Sequence, residues 1–177
     1  KEIKSVNDLK GLKFRVGGLA GMVLQKLGVV PQQLAAGDLY PALEKGVIDA
    51  AEFVGPLDDE KLGLFKVAKY YYAPGWWEGG ASLGLFINRK AWAALPPLYQ
   101  VAMRTAAAEA NQWLTVKYDT ENPQALRRLV AGGAQLRSFP KDVTQASYTA
   151  ANELFDEMSA KSPAFKKIFA HWSKFRA

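Results

Sequence analysis

Apolar residues recur along this chain with a period that alternates between two and about three and a half. Residues 12–16, Leu-Lys-Phe-Arg-Val, alternate as a half-buried strand does, and Gly17-Gly18 closes them. Residues 18–27 carry Leu19, Met22, Val23, Leu24 and Leu27 as a helical stripe that Gly28 stops. Residues 29–34 read as a second short strand, which Pro31 confines to a sheet edge or a strand start. Asp38 is placed to cap a helix through Lys45 that buries Leu39, Ala42 and Leu43, with Gly46 at its end. Residues 47–54 form a third strand, broken by Gly55-Pro56. Strand, helix, strand, helix, strand at this spacing predicts βαβ units and a mainly parallel sheet.

The second half is more helical. Residues 56–65 begin with Asp58, Asp59 and Glu60, which suit a helix N-terminus. Residues 70–80, YYYAPGWWEGG, have no regular period and predict a loop. Five aromatics do not gain by lying in water. The loop therefore either packs into a cleft and holds Glu78 in partly apolar surroundings, or caps the core with Glu78 in solvent. Residues 81–88 read as an apolar strand buried on both faces. Pro96-Pro97 opens the longest helical pattern, running toward Glu121, and Asn122-Pro123 should kink or interrupt it. Gly132-Gly133 ends the helical run, residues 134–139 form a last strand, and residues 141–160 a helix. Pro163 starts a final helix with Phe165, Ile168, Phe169, Trp172 and Phe175 on one stripe. No internal repeat or low-complexity linker interrupts the pattern.

Composition narrows the classes. With 49% hydrophobic residues among 177, the chain can bury a sizeable core. The absence of cysteine removes disulfides, thiolate metal sites and cysteine nucleophiles. A net charge of +6 over 23 basic and 17 acidic residues describes a mildly basic, solvated surface. No apolar run approaches the length of a membrane span. The opening KEIKSVNDLKG resembles the middle of a domain rather than a start. Nucleic-acid binding would draw on Lys166, Lys167, Lys174 and Arg176, but the aromatics beside them share one helical stripe and look like packing. Enzymatic signals are sparse: the one histidine, His171, lies on the final aromatic helix as a surface or interface residue, and there is no GxSxG elbow.

Three charged residues carry candidate chemistry. Arg15 ends the first strand just before Gly17-Gly18; it either grips a carboxylate as a planar fork or pairs with a structural acid. The strand-to-helix turn there also admits an anion. Glu52 sits near the carboxyl end of the third strand, where open α/β sheets place their ligand crevice. It either meets Glu78 in one cleft or caps the next helix. Two carboxylates together repel unless a proton or cation lies between them, and their oxygens suit a hard cation such as Ca²⁺ or Na⁺. A carboxylate pair also leaves room for a glycosidase.

The succession Asp8-Leu-Lys-Gly-Leu-Lys-Phe-Arg15, then Leu43-Glu-Lys-Gly-Val-Ile-Asp49-Ala-Ala-Glu52, then Gly75-Trp-Trp-Glu78, resembles the periplasmic substrate-binding proteins of TRAP transporters, in the branch that binds 2-oxo and 2-hydroxy monocarboxylates. The likeness runs through nearly the whole chain but covers about the C-terminal half of a family member. It implies an α/β, type II periplasmic-binding-protein lobe with a mixed, mainly parallel sheet, and long helices crossing to a partly missing second lobe. Residues 1–80 would form the ligand-binding lobe, and residues 81–177 the crossing strand, the spanning helix and remnants of the other lobe. In the family the arginine matching Arg15 pairs with the substrate carboxylate, and a metal cation bridges protein and substrate. Glu52, the Phe53 carbonyl and Glu78 match its ligands. Phe53 stands where close relatives often carry Trp, which alters the pocket wall. Arg15, Phe53, Trp77 and Glu78 are the substrate-side residues. The resemblance further implies a sodium or calcium cofactor, a small carboxylate ligand and membrane subunits as partners. It also implies a periplasmic location, no catalysis, no nucleic acid and possible homodimers.

Overall fold

Leu12, Phe14 and Val16 all point into the core, as their alternation requires, and Arg15 between them does not. In the computed structural model, which describes residues 1–79 and 83–176, they flank and occupy a short strand, β1 (Lys13–Arg15). β1 is central in a parallel three-stranded sheet of order β2-β1-β3. β2 (Val30–Gln32) pairs with it in the register Arg15↔Gln32, and Pro31 does sit on an edge strand. β3 (Ala50–Ala51) pairs on the other side, Arg15 against Ala51. Helix α1 (Gly18–Lys26) connects β1 to β2. Gly18 makes the strand-to-helix turn at a φ of +59°, a conformation costly for a residue with a Cβ. Helix α2 (Leu39–Glu44) follows a 3-10 turn, Ala36–Asp38, and leads to β3.

Two local expectations for this half are corrected. The third strand contracts from residues 47–54 to two residues, because its neighbour β1 is itself only three residues long; two further cross-strand backbone bonds, Asp49 N to Lys13 O at 2.8 Å and Glu52 N to Arg15 O at 2.9 Å, flank the pairing. Asp38 stands before α2 but its side chain caps nothing. It belongs to the preceding 3-10 turn, with φ −92° and ψ −7°, rather than to the extended geometry of a capping residue.

Helix α3 (Pro56–Leu62) starts on Pro56 and ends at Gly63, which is left-handed at φ +68°. A 3-10 turn, Leu64–Lys66, leads to β4 (Tyr70–Tyr72), paired in parallel with β5 (Gln135–Arg137). The first three residues of the aromatic segment are thus strand, not loop: β-prone tyrosines took an available partner. Helices α4 (Arg89–Ala94), α5 (Pro97–Ala131), α6 (Lys141–Lys161) and α7 (Pro163–Arg176) complete the chain. The strand expected at residues 81–88 is absent over residues 83–88, where Leu83, Leu85 and Phe86 are exposed beside no partner strand; residues 81 and 82 lie outside the described residues. α5 continues through Asn122-Pro123 rather than stopping there. Contacts with α3 on either side of the proline hold it: Tyr118 Oη donates to Asp58 at 2.7 Å, and Arg128 forks onto Glu60 with two 2.7 Å bonds. Tertiary contacts outweigh the local preference of an X-Pro pair.

Both halves of the chain build the core. Leu9, Leu12, Phe14, Val16, Leu24 and Val29 close around Val143 of α6, and α6 also packs Ala150 and Leu154 on Val23 of α1. Leu39, Ala42 and Ile48 form a separate cluster under α2. α7 docks on α6 by packing the tilted rings of Phe165 and Phe169 against Phe155. The surface is large for the mass: 12,081 Å² is accessible, whereas a self-contained monomer of this size exposes about 8,500 Å². Large apolar side chains are among the exposed residues, including Leu98, Tyr99, Val101, Trp113 and Val116 on α5 and Ile168 and Phe175 on α7. No helix among the described residues is long and apolar enough to cross a membrane.

Candidate functional site

Arg15 closes β1 and reaches across the carboxyl ends of the sheet. Its Nε donates to the Leu34 carbonyl at 3.2 Å and its Nη1 to the Glu52 carbonyl at 2.7 Å. The same Nη1 lies 3.5 Å from the Glu52 carboxylate, and the guanidinium carbon is 6.0 Å from the centre of the Phe53 ring. The Arg15 and Glu52 side chains are only 22% and 24% exposed, so the pair is shielded from bulk screening. Backbone carbonyls from two loops therefore fix the guanidinium, and among the described residues nothing hydrogen-bonds its Nη2. Those carbonyls carry no sequence signal, which is why only the arginine was legible beforehand.

Glu52 lies within the electrostatic reach of Glu78. Burial pushes the Glu52 carboxyl above its ordinary range, Arg15 opposes this, and the charge of Glu78 pushes it further up. Glu52 thus meets Glu78's field rather than capping α3, whose cap position is Gly55. Glu78 itself is exposed, so the expected apolar surroundings apply to Glu52 and not to Glu78. The aromatic segment caps the core. Trp77 packs edge-on against Phe14 at 6.3 Å, Trp76 at 5.1 Å and Phe139 at 6.1 Å, while Tyr72 stacks on Phe139 at 4.9 Å. Trp77 holds the segment down, and Glu78 follows it at the rim.

The donor set fits a hard cation in kind. It offers two carboxylates, one of them destabilised by the other's charge, and among the described residues nothing hydrogen-bonds the Phe53 carbonyl. No group of three or more His, Cys, Asp or Glu side chains converges among the described residues, so further oxygens would have to come from carbonyls, water or a ligand.

Behind β3 lies a cavity of about 70 Å³, lined by Ala51, Phe53, Asp59, Tyr71 and Leu129 among others. Asp59 is 8% exposed; one carboxylate oxygen accepts from Tyr71 Oη at 2.5 Å and the other has no partner. Burial lifts its pKa to about 6, with Tyr71 opposing and the charges of Asp58 and Glu52 adding. The sequence had marked Asp59 only as an acidic first-turn residue; a carboxylate three residues from Pro56 gives no sign that it is buried. His171 lies on the exposed face of α7, in an open groove with Ile168, Trp172 and Phe175, as expected of a surface residue.

Residues 1–162 match the family described as bacterial extracellular solute-binding protein, family 7 (DctP). A curated relative, a monocarboxylate 2-oxoacid-binding periplasmic protein from Nostoc, is 49% identical over 99% of this chain and 48% of its own length. A TRAP transporter solute-binding protein from Bordetella bronchiseptica, solved as a dimer with calcium and picolinate, is 58% identical with a TM-score of 0.94, covering 99% of this chain and 52% of that one. A TRAP periplasmic solute-binding protein from Colwellia psychrerythraea, solved with calcium and pyruvate, is 42% identical with a TM-score of 0.90, over 96% of this chain and 52% of that one. The chain spans about half the length of these relatives. With the match running through both halves of the fold described above, this chain belongs to the DctP family of bacterial extracellular solute-binding proteins.

Proposed function

We propose that this chain is the ligand-gripping part of a two-lobed periplasmic solute-binding protein. It captures a small 2-oxo or 2-hydroxy carboxylate together with calcium or sodium and delivers it to TRAP membrane subunits, without converting it. One observation carries the reading. Arg15 is fixed by two backbone carbonyls at the carboxyl end of β1, beside a half-buried Glu52 whose carboxyl burial pushes up against the opposing charge of Arg15, with the charge of Glu78 adding to the rise. The cation-bearing state of the 42% and 58% identical relatives supports it.

Each residue has a distinct task. Arg15 receives the acid's carboxylate on its free Nη edge, where a planar fork matches the two oxygens. Glu52, the Phe53 carbonyl and Glu78 hold the cation, whose charge relieves the repulsion between the carboxylates and attracts the oxygens of the acid. Phe53 is the apolar wall beside the guanidinium. Trp77 acts from below by anchoring the Glu78 segment on Phe14 and Phe139. Residues 1–80 form the binding lobe, whose core is completed by β5 and α6 from the following stretch, and α5 with residues 83–88 faces the other lobe. The accessible area in excess of a normal monomer supports that missing cover. The exposed Ile168, Trp172 and Phe175 face of α7 supports self-association into dimers.

A thermal-shift panel tests the proposal. Pyruvate, lactate, acetate and glucose are offered to the parent protein with calcium, with sodium, and stripped of both. Stabilisation by pyruvate or lactate that vanishes in the stripped protein supports capture. Stabilisation by none of the four, or consumption of any of them, overturns it.

A further inference from the structure

The candidate site has two limbs that are distant in the chain. One runs from β3 through Glu52, Phe53 and Gly55 into α3. The other runs from β4 through Trp77 to Glu78. Both are fastened to the same stretch of α5. On the first limb, four successive α3 residues are each tied elsewhere. The Leu57 amide donates to Asn122 Oδ1 at 3.0 Å, Asp58 accepts from Tyr118, Asp59 from Tyr71 of β4, and Glu60 from Arg128. Asn122 acts as an external cap. The residue at the helix's own cap position is Gly55, which has no side-chain acceptor, and Pro56 has no amide to offer. Amides 58 and 59 are satisfied by the Gly55 carbonyl at 3.1 and 2.9 Å, so Leu57 is the amide that depends on α5. On the second limb, α5 passes through Gly132-Gly133 into β5, which pairs residue for residue with β4, and Ala73 N extends that pairing to Arg137 O at 3.0 Å. Leu129 of α5 is buried against the cavity between the limbs.

We propose that the C-terminal part of α5 is the common anchor of both limbs and that Asn122, by capping α3 from outside, is a positioning residue that sets where Glu52 and the Phe53 carbonyl stand relative to Glu78. This rests on the cation-and-carboxylate reading above and extends it. Asn122 touches neither ligand. It fixes the chain four residues beyond Phe53, and loss of the cap frees the turn at Gly55-Pro56. Because α5 also carries an exposed apolar face toward its N-terminal end, displacement of that helix moves both limbs together and the spacing of the two carboxylates with them.

The test uses the parent protein with Asn122→Ala, Asn122→Asp, Asn122→Gln and Arg128→Ala. Calcium affinity is read by calorimetry, pyruvate affinity at saturating calcium, thermal stability without ligand, and amide exchange at residues 55–59. Asn122→Ala is expected to weaken calcium about 10-fold, as loss of a group that orients metal ligands does. It should also speed exchange of the Leu57 amide, while Asn122→Asp keeps the acceptor and the affinity. Arg128→Ala removes a two-bond ion pair from the same interface further along α3; it is expected to lower thermal stability and to weaken calcium clearly less than Asn122→Ala does. If Asn122→Ala does not fold, Asn122→Gln, which displaces the acceptor by one methylene, reads the same effect. Calcium affinity within about twofold of wild type, or an equal loss in Arg128→Ala, overturns the positioning role and leaves the functional reading intact. A wild-type protein that binds neither calcium nor pyruvate overturns both.

Discussion

Asp59 makes the fold itself sensitive to pH. Its carboxyl is buried behind β3, with one oxygen on Tyr71 and the other unpartnered, and its pKa rises from an ordinary 3.8 to about 6. The folded state therefore binds this proton more tightly than the unfolded chain does. Below both values the group is protonated in either state and has no effect. Between them stability falls as pH rises, and above the folded value the ionised carboxylate costs about 3 kcal/mol, at 1.36 kcal/mol per pK unit. Asp59→Asn removes the titration. The amide adds a pH-independent offset of its own, so the informative quantity is the difference between the two proteins across pH. Urea unfolding followed by tryptophan fluorescence, on wild type and variant at matched concentration, should show that difference shifting by about 2 kcal/mol in the variant's favour from about pH 4 to pH 7. Parallel stability profiles would refute the assignment.

Arg15→Lys removes the fork and the hold on the Leu34 and Glu52 carbonyls, and should weaken 2-oxo acid binding in the parent protein by about 1.5–3 kcal/mol; calorimetry showing wild-type affinity would count against the role of Arg15. The 177-residue chain by itself should self-associate, because it exposes about 3,500 Å² more than a self-contained monomer; light scattering that shows a monomer at high concentration would contradict this. Gly63→Ala should cost about 1 kcal/mol and about 2–4 °C in Tm, because its φ of +68° disfavours a Cβ although the nearest atoms, 3.8 Å away on Tyr40 and Lys66, leave room for one; an unchanged melting curve would show that the end of α3 relaxes freely.

Periodicity carried the binding half well. The alternation of Leu12, Phe14 and Val16 placed β1, the stripe from Leu19 to Leu27 placed α1, and Pro31 marked the edge strand. Periodicity failed where a neighbour decides the outcome. Residues 83–88 are apolar enough for a strand but have no partner beside them, and Tyr70–Tyr72 became a strand because β5 was there. Asn122-Pro123 looked like a helix break because local sterics disfavour helix before proline, and α3 outweighed them. For the proposed site, residue type together with the family resemblance pointed to Arg15, Glu52 and Glu78. The acceptors that aim Arg15 are main-chain carbonyls, and the tyrosine, asparagine and arginine that tie down α3 look in the sequence like ordinary polar side chains.

On the proposed function, acid capture depends on a cation shared by Glu52 and Glu78. Calorimetric titration of pyruvate into the parent protein, first stripped of alkali and alkaline-earth ions and then supplied with calcium, tests it directly. The stripped protein should give no measurable heat of binding, calcium should restore saturable binding, and Glu78→Gln should lose more calcium affinity than folding stability. Full pyruvate binding by the stripped protein would contradict it.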